Sequence, residues 1–211
     1  MNALYDGLES AMNTELPDGR RIGDCRWGVY LFYDYDGEPI YAGQTYENLR
    51  GRIGRHLTNQ RTDAVAMSVL DPFEVGEVEV WPFWQWDDVG RGHRRFAHTK
   101  SKLDQAEYTV YCHALAASEF HAILNEKPPT ATATIGLPHS HRLSILDPSL
   151  RRAREHPDIR LARRARTIAN LARVISERRV EAGIRRTLWA QAQRLEALAR
   201  RRLETLTKEP P

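Results

Sequence analysis

The sequence has few of the features that mark secreted, membrane-bound or disulfide-linked proteins. It contains two cysteines in 211 residues, Cys25 and Cys112, and two cysteines so far apart provide no disulfide framework. It has no signal peptide, no apolar run of membrane length and no evident internal repeat. We therefore expect a cytoplasmic protein without a membrane partner. A hydrophobic content of 41% is enough for one well-packed domain with a helical extension.

Histidine and cysteine are also too scattered to indicate a zinc site. His93 and His98 are isolated, and His139 and His141 have no second pair of ligands at a suitable spacing. Zinc chemistry is therefore not expected.

Positive charge is abundant, but it is concentrated in the C-terminal part of the chain. Residues 150–211 contain 17 Lys and Arg against 7 Asp and Glu, whereas residues 1–149 contain 14 against 21. The formal net charge of +3 therefore hides an acidic first part and a basic second part. A basic segment of this kind is a natural electrostatic anchor for nucleic acid. An arginine-rich dimerisation hairpin is the alternative.

Two tripeptides, Gly28-Val29-Tyr30 and Tyr41-Ala42-Gly43, flank an Asp36-Gly37 pair. An Asp-Gly pair between two runs of β-forming residues is a strong signal for a β-hairpin with a two-residue loop. Counting back from that loop sets the register of the two strands. The predicted cross-strand pairs are Tyr35 with Glu38, Phe32 with Tyr41, and Tyr30 with Gly43.

This register predicts which side chains share a face of the hairpin, because cross-strand partners point the same way. One face carries Tyr30, Phe32 and Tyr41, and the other, apolar face carries Val29, Leu31, Ile40 and Ala42. Gly43 has no side chain and leaves room beside the phenol of Tyr30.

The segment after the hairpin has the pattern of a short amphipathic helix. Leu49, Ile53 and Leu57 recur every four residues and predict a helix that starts near Thr45. Arg52 and His56 are an adjacent pair on that helix, one turn apart.

A second helix is predicted over residues 101–117, capped by Ser101. Glu107 lies inside its apolar stripe and therefore points inward. A buried carboxylate needs a partner, either an arginine or a metal ion, and the pattern alone favours neither. Asn125 follows in a turn-like segment before two prolines.

Taken in order, these residues resemble the motifs of the GIY-YIG nuclease family. The resemblance rests on the two tripeptides, Arg52, His56, Glu107 and Asn125, and it spans residues 28–125. Ala42 replaces the usual Ile or Val of the second tripeptide, and Gln44 stands where some members carry lysine. The family implies an α+β fold with a small, mostly antiparallel three-stranded sheet flanked by helices.

The resemblance also implies a role for each motif residue. Glu107 would hold one divalent ion, Mg²⁺ or Mn²⁺, and Arg52 would bind a phosphate oxygen. Tyr41 would be the general base, while Tyr30 would position the attacking water or share its proton. His56 would hydrogen-bond a tyrosine or relay its proton. Asn125 would orient the phosphate or the network of the site.

Domain boundaries follow from these patterns. They predict an N-terminal helical segment over 1–22, a nuclease domain over 23–135 and an arginine-rich helical extension over 136–211. Two apolar stripes in the extension indicate an antiparallel helical pair, packed on the core or on a dimer partner. The first stripe is Leu161, Ala165, Ile168, Ala172 and Ile175, and the second is Ile184, Leu188, Leu195, Ala199 and Leu206, with Gly183 at the break.

The sequence is thus expected to encode a metal-dependent DNA endonuclease, with a restriction-type role favoured over repair or mobile-element roles. A homodimer is one way to cut both strands. A non-cleaving nucleic-acid-binding protein is the competing class, and an RNA substrate is compatible with every residue discussed. The predicted DNA contacts are Arg50, Arg55, Arg94, Arg95, Lys100, Arg163, Arg164, Arg178, Arg179, Arg185 and Arg186.

Overall fold

Four strands form one antiparallel sheet at the centre of the computed structural model, which describes residues 2–57 and 69–208. The strands are β1 (Gly28–Tyr33), β2 (Pro39–Thr45), β3 (Glu77–Pro82) and β4 (His141–Ser144). The helices are α1 (Asn2–Met12), α2 (Leu49–Leu57), α3 (Phe96–Ala117), α4 (Pro148–Glu155), α5 (Pro157–Glu177) and α6 (Ala182–Lys208). Short 3₁₀ turns lie at Ile22–Asp24, Pro72–Glu74 and Trp84–Trp86.

The strand order β2-β1-β3-β4 corrects the expected three-stranded sheet. The additional strand, β4, pairs with the outer edge of β3 and places His141 opposite Val80. It is only four residues long, and its burial pattern alternates between exposed and half-buried positions. A strand this short has too little apolar alternation to be recognised from its sequence.

The register of the β1–β2 hairpin is as predicted around its tyrosines. Tyr30 pairs with Gly43, and Phe32 pairs with Tyr41. The loop, however, is one residue longer than the predicted Asp36-Gly37 pair. It is a three-residue loop over residues 35–37, closed by the Asp34 amide bonding to the Glu38 carbonyl at 3.0 Å, with Gly37 at a φ of +77°. A positive φ after a turn is the usual geometry of a three-residue hairpin.

A β-bulge compensates for the longer loop. Phe32 pairs with Tyr41 but Tyr33 pairs with Pro39, so Ile40 has no partner on β1. A bulged residue changes the direction of its side chain. Ile40 was expected beside Val29 on the opposite face, but it packs in the same cluster as Phe32.

Helices cover both faces of the sheet, so each face packs in its own apolar cluster. On one face, Val29, Leu31 and Ala42 pack against α3 through Leu103, Ala106 and Val110. The other face contacts helices from both ends of the chain. Its cluster contains Leu8 of α1, Tyr30, Phe32, Ile53 of α2, Leu171 of α5 and Ile184 of α6. Tyr30 and Tyr41 therefore lie on the face covered by α1, α2, α5 and α6.

Two helices begin at other residues than predicted. Helix α2 starts at Leu49, because β2 continues to Thr45 and the Asn48 side chain accepts a bond from the Gly51 amide at 2.6 Å. Helix α3 starts at Phe96, five residues before Ser101. The predicted inward positions of α2 are confirmed, since Leu49, Ile53 and Leu57 are buried.

Helices α5 and α6 form the predicted antiparallel pair and pack on the core. The ion pair between Asp158 and Arg202, at 2.9 Å, joins the start of α5 to the end of α6. Gly183 lies inside α6, so the break between the helices comes earlier, after Glu177.

The buried face of α5 is rotated by about one residue from the predicted stripe. Its buried side chains are Arg160, Arg164, Leu171 and Val174. The two arginines point inward because Asp34 and Glu74 face them across the core. Arg164 bonds to Asp34 at 2.8 Å and to Glu74 at 3.0 Å.

A membrane-spanning helix is not found in residues 2–57 or 69–208, since no helix there combines sufficient length with sufficient apolar character. The domain boundaries after residues 22 and 135 stay predictions.

Candidate active site

Tyr30 is at the centre of the site, on strand β1, and its side chain is completely buried. Its phenol lies directly against Gly43 on β2. A Cβ atom added to Gly43 would come within 2.5 Å of both Cζ and Oη of Tyr30. The second tripeptide therefore ends in glycine because the phenol of the first tripeptide occupies the space of a side chain.

Tyr41 and His56 complete an aromatic cluster with Tyr30 and Phe32. The ring centroids of Tyr41 and His56 are 4.9 Å apart, and those of Tyr30 and His56 are 5.8 Å apart in an edge-on arrangement. Helix α2 places His56 there because its apolar stripe is buried under the sheet. His56 is buried, whereas Tyr41 on the edge strand is half-buried.

Arg52 lies one turn before His56, beside the phenol of Tyr30. Burial raises the pKa of Tyr30 far above its usual range; Tyr41 adds to the rise, and the charge of Arg52 opposes it. Burial lowers the pKa of Arg52, but Tyr30, Tyr41 and Glu107 outweigh that effect and raise it. At neutral pH, Tyr30 is therefore a neutral phenol next to a guanidinium cation.

Several buried polar atoms at this point have no hydrogen bond in the described parts of the chain, Oε1 of Gln44 among them. Two of these atoms are donors, Oη of Tyr30 and Nε of Arg52. Native proteins rarely leave buried polar atoms unbonded, and those that remain often lie at functional sites. Both atoms can donate a hydrogen bond, so the pair suits an anionic oxygen such as that of a phosphate.

Helix α3 brings Glu107 to the same place from the other side of β2. Gln44 Nε2 donates hydrogen bonds to Glu107 Oε2 at 2.7 Å and to Asp104 Oδ1 at 2.6 Å. Burial raises the pKa of Glu107; the Gln44 bond and Lys100 oppose the rise, and the charge of Asp104 adds to it. In residues 2–57 and 69–208, Glu107 forms no ion pair with an arginine, which was one of its two expected partners.

Gln44 and Asp104 are site residues that the sequence did not reveal as such. Asp104 is one helical turn before Glu107, so a second carboxylate three residues away was the available signal. Asp104 is connected to β2 through the hydrogen bond from Gln44. That contact depends on how α3 packs on the sheet, which the sequence pattern does not give.

Asn125 lies beside the site but does not face it. Its Oδ1 accepts a bond from the Ala42 amide at 3.0 Å, and its Nδ2 donates to the Ala42 carbonyl at 2.8 Å. Since β2 is the edge strand, this amide satisfies the outer backbone groups of Ala42. The contact holds β2 between Tyr41 and Gly43.

The donor set at Glu107 fits a hard divalent cation. Glu107 and Asp104 provide carboxylate oxygens, the ligands that Mg²⁺ and Mn²⁺ prefer, and Mg²⁺ needs few protein ligands because it keeps much of its water shell. A preformed centre of three or more His, Cys, Asp or Glu side chains is not found in the described residues. The residues therefore fit an ion held by one or two carboxylates together with substrate.

Five predicted DNA contacts lie on α2 or near the start of α3. In the described chain, Arg50 bonds to Glu9 and Asp24, Arg55 to Glu47, Arg95 to Asp88 and Lys100 to Asp104, and Arg94 is exposed without an ion pair. Exposed ion pairs are weak and exchange readily with other anions. Arg50 also bonds to Asn13, at 2.9 Å, and so connects α2 to the segment after α1.

The predicted DNA contacts at Arg163 and Arg164 are corrected by the structure. Arg164 is 4% exposed and bonds to Asp34 and Glu74. Arg163 also bonds to Glu74, at 2.6 Å. Both guanidinium groups are therefore engaged inside the protein and do not form an outer basic surface.

Comparison with known family models gives a match whose range contains the hairpin, α2 and β3. Residues 26–87 match the family model of the GIY-YIG catalytic domain. No curated protein and no solved structure matches the chain. The family match indicates nuclease activity in the broad sense, on a nucleic-acid substrate. It includes Tyr30, Tyr41, Arg52 and His56 and ends before Glu107. The resemblance to the GIY-YIG endonuclease family is thereby confirmed for residues 26–87.

Proposed function

We propose that this protein is a metal-dependent endonuclease that hydrolyses phosphodiester bonds in DNA. The observation that carries the proposal is the pair of buried, unbonded polar atoms, Tyr30 Oη and Arg52 Nε. They are adjacent to a half-buried carboxylate, Glu107, whose charge influences the pKa of both residues. Two donors and a carboxylate at one point suit a phosphodiester held beside a cation.

Arg52 and Tyr30 would bind and orient the scissile phosphate. The guanidinium of Arg52 donates to a non-bridging oxygen, where negative charge increases as the water attacks. Tyr30 remains protonated because its pKa is raised by burial, so it acts as a hydrogen-bond donor and not as a base. It can donate to the phosphate or to the attacking water.

Tyr41 and His56 would handle the proton of the attacking water. Tyr41 is half-buried on the edge strand, and the centroid of its ring lies 4.9 Å from that of His56. As the bond from water oxygen to phosphorus forms, the water proton passes to the phenolate form of Tyr41, or to the phenol of Tyr41 as that phenol gives its own proton to His56. The bond from phosphorus to the leaving sugar oxygen then breaks, and that oxygen takes up a proton from solvent.

Glu107 and Asp104 would hold the divalent ion, Mg²⁺ or Mn²⁺. The bound ion supplies positive charge that stabilises the phosphate and the leaving oxygen. Gln44 keeps the two carboxylates together through its single amide nitrogen. Asn125 contributes indirectly, because it fixes the strand that carries Tyr41.

Among endonucleases we favour a restriction-type role, with repair and mobile-element nucleases as alternatives. The support is that α5 and α6 pack directly on the catalytic hairpin and do not follow a long linker. Double-strand cleavage would then require a dimer or two successive nicks.

Cleavage of supercoiled plasmid DNA tests the proposal. We expect wild-type protein with Mg²⁺ or Mn²⁺ to produce nicked or linear DNA, and EDTA to abolish the product. Glu107→Gln should lose cleavage, whereas Glu119→Gln, an exposed carboxylate just after α3, should retain it. Intact plasmid with the wild-type protein on modified and unmodified DNA, or equal cleavage by Glu107→Gln, would overturn the proposal.

A further inference from the structure

Four arginines around the turn between α5 and α6 differ from most arginines of the C-terminal helices. Arg178, Arg179, Arg185 and Arg186 are exposed, and their side chains form no ion pair or hydrogen bond in residues 2–57 and 69–208. In contrast, many other arginines of α5 and α6 bond to carboxylates. These are Arg160, Arg163, Arg164, Arg173, Arg194, Arg200, Arg201 and Arg202. The four unpaired arginines, with the exposed Lys127, are called the α5–α6 corner below.

The α5–α6 corner lies against the segment that holds the edge strand of the site. Gly183, the second residue of α6, is so close to this segment that a Cβ would come within 1.8 Å of the Glu126 carbonyl oxygen. Glu126 directly follows Asn125, whose side chain bonds to Ala42 on β2. The start of α6 is therefore connected to the strand that carries Tyr41 by two contacts, which the peptide bond between Asn125 and Glu126 joins.

Helix α3 connects the corner to Glu107 by a second route. Burial raises the pKa of Tyr111, and the nearby charge of Arg186 opposes that rise. Arg186 therefore lies within electrostatic range of Tyr111, which is one turn after Glu107 on α3. Four residues of helix correspond to about 6 Å.

The shape and composition of the corner also suit a nucleic-acid strand. A groove of about 230 Å³ lies at the turn and is lined by Lys127, Arg178 and Arg179 together with two carboxylates, Glu126 and Glu181, of which Glu181 pairs with Lys127 at 3.9 Å. Arg185 and Arg186 lie outside this groove on α6, and Trp189, one turn after Arg185, is 61% exposed. Exposed cations beside an exposed aromatic side chain are a combination with which proteins hold nucleic-acid backbones and bases.

We propose that the α5–α6 corner binds the phosphate backbone of the DNA that extends from the cleavage site. The free arginines contact successive phosphates, and Trp189 packs on a base or sugar beside them. The proposal rests on the proposed function only in taking DNA as the ligand, since the corner binds without a metal ion and without cleavage.

Binding in EDTA tests the corner separately from catalysis. Fluorescence anisotropy of a short fluorescein-labelled DNA duplex gives the affinity at several salt concentrations. We expect Arg185→Gln/Arg186→Gln to weaken binding by about tenfold or more and to reduce the slope of log affinity against log salt by about 2. Arg185→Lys/Arg186→Lys should retain that slope, and Trp189→Ala should weaken binding without changing it.

The matched control removes two exposed arginines elsewhere, on α4 and α5, that form no ion pair within the described residues. Arg152→Gln/Arg166→Gln loses the same charge, and we expect its affinity to stay within about twofold of wild type. Equal losses in the control and corner variants, or wild-type protein that does not bind DNA, would overturn the proposal. If the corner variants lose affinity but wild-type protein never cuts, the corner assignment holds and the nuclease proposal fails. If wild-type protein cuts DNA and the corner variants bind it with normal affinity, the nuclease proposal holds and the corner assignment fails.

Discussion

Replacing Arg164 by methionine should strongly destabilise the fold, because the change breaks a buried ionic cluster. Arg164 is 4% exposed and donates three bonds. Nη2 bonds to Asp34 at 2.8 Å, Nε to Glu74 at 3.0 Å and Nη1 to the Arg194 carbonyl at 3.0 Å. Methionine fills much of the same volume but provides none of these donors. Asp34, which is 2% exposed, would lose its shortest ion pair.

The expected loss in the free energy of unfolding depends on the bonds that Asp34 and Glu74 keep in the variant. Asp34 retains Arg160 at 3.4 Å and the backbone amides of Asp36 and Glu38 at 2.9 and 3.1 Å. Glu74 retains Arg163 at 2.6 Å. Removing one partner of a buried ion pair costs about 3–5 kcal/mol, and these remaining bonds place the cost near the lower limit, about 3 kcal/mol.

Urea unfolding at pH 7, followed by far-UV circular dichroism, measures this loss in the free energy of unfolding. Arg166→Met, an exposed position on the same helix, is the control and should change stability by less than about 0.5 kcal/mol. Asp34→Asn keeps an oxygen for the turn amides while removing the charge. Combined with Arg164→Met, it should cost less than the two single changes together, by about 1–3 kcal/mol.

Two results would refute this reasoning. A loss below about 1 kcal/mol for Arg164→Met would mean that the cluster contributes little to holding α5 on the hairpin. Strict additivity of Asp34→Asn and Arg164→Met would mean that the two groups do not interact energetically.

Of two further predictions, one concerns the site and the other the pH dependence of stability. Tyr30→Phe should cut plasmid DNA at least about 100-fold more slowly yet unfold at the same or higher urea concentration, because it removes a buried hydroxyl without a partner; a destabilised variant would contradict this. Burial raises the pKa of Asp36, but bonding to Arg160 outweighs burial and lowers the pKa below 3.8. Its stabilisation is therefore present above pH 3.8 and lost as the pH falls through the lowered pKa. In urea titrations, Asp36→Asn should be less stable than wild type at pH 7 and approach it in acid; a pH-independent difference would contradict this.

The motif residues could be predicted from the sequence because local rules determine their positions. The Asp36-Gly37 pair and the alternation of strand residues were sufficient to place Tyr30 opposite Gly43. The four-residue spacing of leucine and isoleucine was sufficient to orient α2 with Leu49, Ile53 and Leu57 inward. Each of these inferences depends on residues that are close together in the chain.

Features that depend on contacts between distant residues could not be predicted from these local patterns. The bulge at Ile40 offsets a loop one residue longer than expected, so two local departures left the register of Tyr30 unchanged. Helix α5 turned its arginines inward, because Asp34 and Glu74 provide partners that lie more than 80 positions earlier in the chain. A prediction based on the apolar stripe places arginine on the outward face of a helix. The predicted orientation of α5 is therefore rotated relative to the observed one.

The buried arginines also mean that the β1–β2 hairpin is synthesised long before the residues that support it. Asp34 and Arg164 are 130 positions apart, and Glu38 and Arg194 are 156 apart. Contacts across such separations form late in folding. During translation the two tyrosines leave the ribosome first, and the arginines that hold their loop follow only with α5 and α6. We therefore expect a nascent chain to lack a fully supported hairpin until α5 and α6 have also been synthesised.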